Sequence, residues 1–171
     1  VNLENKNKTI LQKETYSKIT NDDLSLTELG TVLFKTFTNS NNYLKQDASY
    51  YIFSPQGGDM ELMMMMMSKS GLKCRHQLIW CKPRPTFSMG RLDYDYQHEP
   101  ILYGWKQKHH FYNRDGNQKS SLLHFKGVHN KYHPSSNPPK LIAQLIRNNT
   151  QKGDLIFDPY GGGALRYLRP S

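Results

Sequence analysis

Helix-period segments and short β-favouring segments take turns along most of this sequence, and that alternation leaves few folds open. Leu26, Leu29, Val32, Leu33 and Phe37 recur at helical spacing behind the capping candidates Asp22, Asp23 and Ser25. The spacing predicts a helix over about 23–38, ended by Asn39-Ser40-Asn41-Asn42. Ser49–Ser54 (SYYIFS) is aromatic and β-favouring, and Pro55-Gln56-Gly57-Gly58 closes it. Met60–Ser70, with five consecutive Met, has helix-forming composition and lies between two strand candidates. The Met run reads as core filler or sequence drift rather than a metal site. His76–Lys82 is the second strand candidate, ended by Pro83 and Pro85, and Glu99–Trp105 is the third. Pro138 and Pro139 can open a helix with the apolar face Leu141, Ile142, Leu145 and Ile146, ended by Asn148-Asn149. Gly153-Asp154 then leads into Leu155-Ile156-Phe157, a fourth strand candidate closed by Asp158-Pro159-Tyr160-Gly161-Gly162-Gly163. This order predicts an α/β fold in which strands near 49–54, 76–82, 99–105 and 154–158 share one mostly parallel sheet flanked by helices.

Between these elements, Thr86–Gln97 reads as a polar, aromatic loop, and residues 106–137 as an exposed stretch carrying KQKHHFYNRDGNQK and HPSSNPP. A chain of 171 residues suits a single domain. Lys plus Arg outnumber Asp plus Glu by 23 to 14, a net charge of +9, which favours a polyanionic partner. The same balance also fits a basic soluble protein with no nucleic-acid role. No apolar run approaches the ~20 residues of a membrane helix, and VNLENKNKTI has no secretory pattern, so the expected setting is cytoplasmic, with no membrane partner. Cys74 and Cys81 match neither a disulfide framework nor a zinc knuckle and are expected to be reduced, with no metal bound.

The strongest local constellation is the run from the 138–149 helix through a Lys-Gly-Asp turn and a short apolar strand to Asp158-Pro159-Tyr160 and three glycines. A glycine turn at the carboxyl end of a strand lets backbone approach a ligand, and that edge is where α/β sheets bind cofactors. Taken alone, such a turn is as readily structural as it is a nucleotide loop.

Longer stretches carry more information. LIWCKPRPTFSMGRLDYDYQHEPILYGWK (78–106) resembles, nearly end to end, the segment of N6-adenine and N4-cytosine DNA methylases that runs from a WxK strand through GRxDY to HEPILYGWK. HPSSNPPKLIAQLIRNNTQKGDLIFDPYGGG (133–163) resembles that family's HPTxKP helix and its Asp-Pro-Phe-x-Gly-x-Gly loop, and 19–53 resembles the helix and strand that follow its catalytic motif. The resemblance covers about 19–163 and implies a Rossmann-like, S-adenosylmethionine-dependent methyltransferase sheet with flanking helices, here incomplete. It implies S-adenosylmethionine as cofactor and DNA as partner, with adenine N6 favoured over cytosine N4 by the middle motif.

Matched positions imply roles for single residues. Asp158, Tyr160, Gly161 and Gly162 fall on the loop that packs against the methionine portion of the cofactor, and His133, Pro134 and Ser135 on the element that closes over it. The alternative for the latter three is a helix-entry turn. In the middle motif, Trp80 suits core packing, Lys82 is a candidate DNA contact, and Arg91 and Tyr94 are candidates for a phosphate or a base. The recognition region implied is 106–132, basic and aromatic, with Lys106, Lys108 and Arg114 as DNA contacts.

The family's chemistry needs one further element. An exocyclic base amine is a poor nucleophile, so the base is flipped out and held against an Asp-Pro-Pro-Tyr type tetrapeptide. No such tetrapeptide occurs in this sequence, and in the family's arrangement it would precede Val1. Asn137 stands where the family has Lys, Ala164 where it has its last glycine, and LRYLRPS does not resemble its next helix. The expectation is one partial methylase domain with no catalytic residue, its cofactor segment at 133–163, inactive on its own. The alternatives are a catalytically dead DNA-binding remnant or one half of a split enzyme, completed by a second chain or by a homodimer partner.

Overall fold

Ser25 opens the first helix through a capping box. Its Oγ accepts from the Glu28 amide at 3.3 Å, and the Glu28 carboxylate accepts from the Ser25 amide at 2.9 Å. Hydrogen bonds from the Ser25 side chain and backbone hold the Glu28 carboxyl below the usual carboxylate range. The computed structural model describes residues 24–86, 93–113, 116, 119–128 and 137–160. Helix α1 (Leu26–Tyr43) continues through the Asn cluster expected to end it. Lys106 Nζ holds its last turn, donating to the carbonyls of Asn41 at 2.7 Å and Leu44 at 3.1 Å, a cation at the negative end of the helix.

The sequence continues through β1 (Ser49–Phe53), α2 (Gly58–Lys69), β2 (His76–Cys81), β3 (His98–Trp105), β4 (Leu122–His124) and α3 (Pro139–Asn149). The turn ahead of α2 needs glycine, because Gly57 sits at φ +68°. The four strands form one sheet in the order β1-β3-β2-β4.

Two expectations about this sheet are corrected. It is not mostly parallel: β3 pairs antiparallel with both β1 and β2, and the parallel pairing is β2 with β4. β1 and β2 therefore run the same way, as a helix crossover requires, but α2 sets them one strand apart and β3 fills the gap. Residues 154–158 form no strand and lie outside the sheet. Leu155 is 91% exposed and Phe157 69%, so the apolar run that suggested a buried strand has no described strand beside it. In its place β4, inside the stretch expected to be loop, supplies the fourth strand.

Strand periodicity assigns the core to two layers. On one face Leu102 packs with Leu33, Phe37, Met66, Met67 and Leu72, against α1 and α2. On the other, Ile101 packs with Trp80, Leu123, Leu141 and Leu145, against α3. Ile101, Leu102, Leu141 and Met67 are fully buried, each worth about 1.5–3 kcal/mol by transfer from water. Met63, Met66 and Met67 pack on the α1–α2 side of this core while Met64 and Met65 are exposed, so the Met run is part filler and part surface. Pro100 sits inside the central strand without breaking its ladder. Its carbonyl accepts from the Ser54 amide at 3.0 Å, just past the end of β1, so its missing N–H also faces the place where that strand has stopped.

Candidate nucleic-acid interface and cofactor segment

The carboxyl ends of β1, β2 and β4 open onto one edge of the sheet, and β3 enters from it. Ligands of α/β sheets gather at that edge. Three chain segments leave it: Ser54-Pro55-Gln56, Lys82-Pro83-Arg84 and Phe125-Lys126. Residues 82–86 and 93–97, the described ends of the β2–β3 connection, pair with each other beyond this edge as an arm. Its rungs are Lys82 N to the Gln97 carbonyl at 2.9 Å and Thr86 N to the Tyr96 carbonyl at 2.9 Å. Gln97 Nε2 clamps the arm by donating to the Lys82 carbonyl at 3.0 Å.

Lys82 is held at the base of this arm. Its Nζ lies 2.6 Å from the Glu99 carboxylate, 3.3 Å from Thr86 Oγ1 and 5.1 Å from the centre of the Trp80 ring. Trp80 is itself buried and donates Nε1–H to the Phe125 carbonyl at 2.8 Å, which fastens the chain after β4 to the same place. Tyr94 is 86% exposed on the returning side of the arm. Arg91 lies outside the described residues, as do Arg114, His133, Pro134, Ser135, Gly161 and Gly162. Arg84, His124 and Lys126 also belong to this edge; His124 and Lys126 were missed from sequence because a strand as short as Leu122–His124 shows no alternation.

Lys106 and Lys108 lie elsewhere. They follow the far end of β3, and seven residue steps from His98 to Trp105 separate the two edges by about 24 Å at 3.4 Å per residue. Lys106 is occupied by the end of α1, while Lys108 is exposed.

The candidate cofactor segment is formed as a turn but not seated at a sheet edge. Asp158 Oδ1 accepts from the Tyr160 amide at 3.0 Å, an Asx turn, and Tyr160 Oη shares a hydrogen bond of 2.9 Å with Thr36 Oγ1 midway along α1. Because Leu155-Ile156-Phe157 lies outside the sheet, the described residues close no cradle around a ligand there. Among the described residues no His, Cys, Asp or Glu group could hold a metal ion, and no helix is long and apolar enough to cross a membrane.

Helices on both faces of a sheet, with one strand reversed between two parallel ones, define the class: the fold is that of the Rossmann-like methyltransferases. The M1.HpyAVI-SAM complex matches with a TM-score of 0.58 at 18% identity, over 72% of this chain and 62% of that one. The cytosine-N4-specific PvuII DNA methyltransferase matches with a TM-score of 0.62 at 16% identity, over 81% of this chain and 60% of that one. The chain belongs to the N6/N4-type DNA methylase family, whose family model matches residues 4–163. The Type II methyltransferase M2.MboI of Moraxella bovis is 26% identical over 113 residues, 57% of this chain. The chain spans 41% of that relative's length.

Proposed function

We propose that this chain forms the middle and later parts of a DNA methyltransferase that transfers the methyl group of S-adenosylmethionine to a base amine, adenine N6 in preference to cytosine N4. The observation that carries the reading is the family match over 4–163, which includes both inner strands and the turn at 154–160. The preference for adenine rests on the likeness of GRLDY and HEPILYGW to the family's middle motif. Lys82 and Tyr94 contact DNA at the carboxyl edge, Arg91 is a further DNA contact, and 106–132 is the recognition region. Asp158, Tyr160, Gly161, Gly162, His133, Pro134 and Ser135 hold the cofactor.

Assayed alone, the polypeptide transfers no methyl group. The Asp-Pro-Pro-Tyr type tetrapeptide that would stack the flipped base and accept its amine hydrogens does not occur in the sequence, and each preorganised contact of that kind contributes on the order of 100-fold. The exposed Leu155 and Phe157 mark an apolar surface of the kind that is normally covered.

Titration of duplex DNA at two salt concentrations, beside a radiolabelled methyl-transfer assay, tests the reading. Binding that weakens steeply with salt and incorporation equal to the no-protein control are expected. Absent or salt-independent binding overturns the DNA assignment, and incorporation above the control overturns the inactivity.

A further inference from the structure

The sheet edge opposite the arm carries a second concentration of positive charge. There the amino ends of β1 and β2 and the carboxyl end of β3 meet the connections 44–48, 70–75 and 106–113. Those three connections carry Lys45, Lys73, Arg75, Lys106 and Lys108 and one carboxylate, Asp47, and the chain after α3, whose Asn149 docks on His110 and Ser49, adds Lys152 and Asp154. Asp47 is itself 3.8 Å from His110 Nε2.

Trp105 stands in the middle of this surface, half-buried, with cationic and imidazole groups ordered around it. The His109 ring stacks on it with centroids 3.9 Å apart and planes 15° from parallel. The Arg75 guanidinium lies 4.9 Å from its centre, and His76 approaches at 5.9 Å. Arg75, Lys73, Lys108 and His109 are all exposed. Like charges collected on one edge repel each other, and a partner carrying a regular row of negative charge relieves that repulsion. Duplex DNA offers one phosphate charge per ~1.7 Å of axis and suits such a row without any base being read.

We propose that this far edge, which includes the first residues of the 106–132 region, is a second DNA contact, at which those residues bind the phosphate backbone without sequence preference and independently of the carboxyl edge, base reading being left to the rest of that region. It rests on the DNA reading above for the identity of the polyanion. Its chemistry differs from that edge, where Glu99 neutralises Lys82 and an arm projects outward.

The test compares the wild-type chain with a K73E/K108E double variant, an R75E variant and an R84E/K126E variant of the carboxyl edge. Each is titrated with two duplexes of unrelated sequence over a range of salt. The double variant should lose about 2 from the log–log salt slope, one unit for each cation removed, and weaken both duplexes by the same factor. Two side chains already exposed are replaced, so its urea midpoint should match wild type; R75E disturbs the Trp105 stack and gives an independent check. In a Trp80→Phe background, where Trp105 is the remaining tryptophan, DNA should also quench fluorescence in the parent chain and in R84E/K126E, and less in K73E/K108E. A double variant with wild-type slope and quench overturns the far-edge contact while leaving the DNA reading intact, whereas a wild-type chain that binds neither duplex overturns both.

Discussion

The Tyr50 ring lies across Gly104, its partner in the β1–β3 register. A Cβ on residue 104 would come within 2.5 Å of that ring and 2.3 Å of the Lys73 carbonyl oxygen. Tyr50 is fixed there from its far end, because its hydroxyl accepts from the Lys73 amide at 2.8 Å and donates to the Lys73 carbonyl at 3.0 Å. Neither the ring nor the carbonyl can give way without breaking those bonds. Gly104→Ala is therefore expected to cost about 3 kcal/mol or more, at the upper end of overpacking penalties, read as a drop in the urea midpoint. A wild-type midpoint would show that the ring moves freely.

Alkaline pH should destabilise the fold through two phenols. Burial pushes Tyr51 well above the ordinary phenol value, reinforced by Tyr103, and burial raises Tyr50 as well. A group whose folded value is raised contributes stability that is complete below the unfolded value, about 10, and lost as pH rises from there toward the folded value. Urea midpoints should hold steady up to about pH 9 and fall above pH 10. Tyr51→Phe should flatten that fall even though it lowers the midpoint at neutral pH, and an unchanged alkaline slope would remove Tyr51 from the account.

Asn149 docks the end of α3 onto the sheet. Its Nδ2 donates to the His110 carbonyl at 2.6 Å and to Tyr103 Oη at 2.9 Å, with Ser49 Oγ at 3.2 Å, and its Oδ1 accepts from the Tyr51 hydroxyl. Asn149→Leu leaves these partners unpaired in a half-buried place. It should cost about 2–4 kcal/mol, more than one ordinary hydrogen bond is worth, by the same urea measurement. A loss under about 1 kcal/mol would mean that water replaces the amide.

Glu99 restrains Lys82 at the carboxyl edge, 2.6 Å away. Glu99→Gln should strengthen DNA binding several-fold at low salt and steepen the log–log salt slope by about 1, one more phosphate neutralised. Unchanged slope and affinity would remove Lys82 from the interface.

The strand and helix positions were legible where side chains repeat with a period. Leu29, Leu33 and Phe37 mark α1, alternation through Ile101 and Tyr103 marks the α3 face of β3, and Pro139 with Leu141 and Leu145 marks α3. Direction was not legible, because Tyr50 and Ile52 would look the same beside a parallel neighbour as beside β3. The Leu155-Ile156-Phe157 segment misled because composition reports what a segment can bury, and not whether a neighbour is present to bury it. At the candidate site, the motif residues gave Lys82 and Tyr94 their edge. That Lys106 ends a helix depends on a contact with Asn41 across 65 residues of sequence, which no local pattern carries.

The reversed strand between β1 and β2 also orders events in time during synthesis. A ribosome that has released the chain to Cys81 has released two strands that point the same way and share no hydrogen bond, because the strand that joins them ends at Trp105. The 24 further residues, 105 less 81, take about 1–5 seconds at typical elongation rates. Through that interval Tyr50, Tyr51 and Phe53 have no central strand to pair with, and the edges of β1 and β2 stay open to other chains.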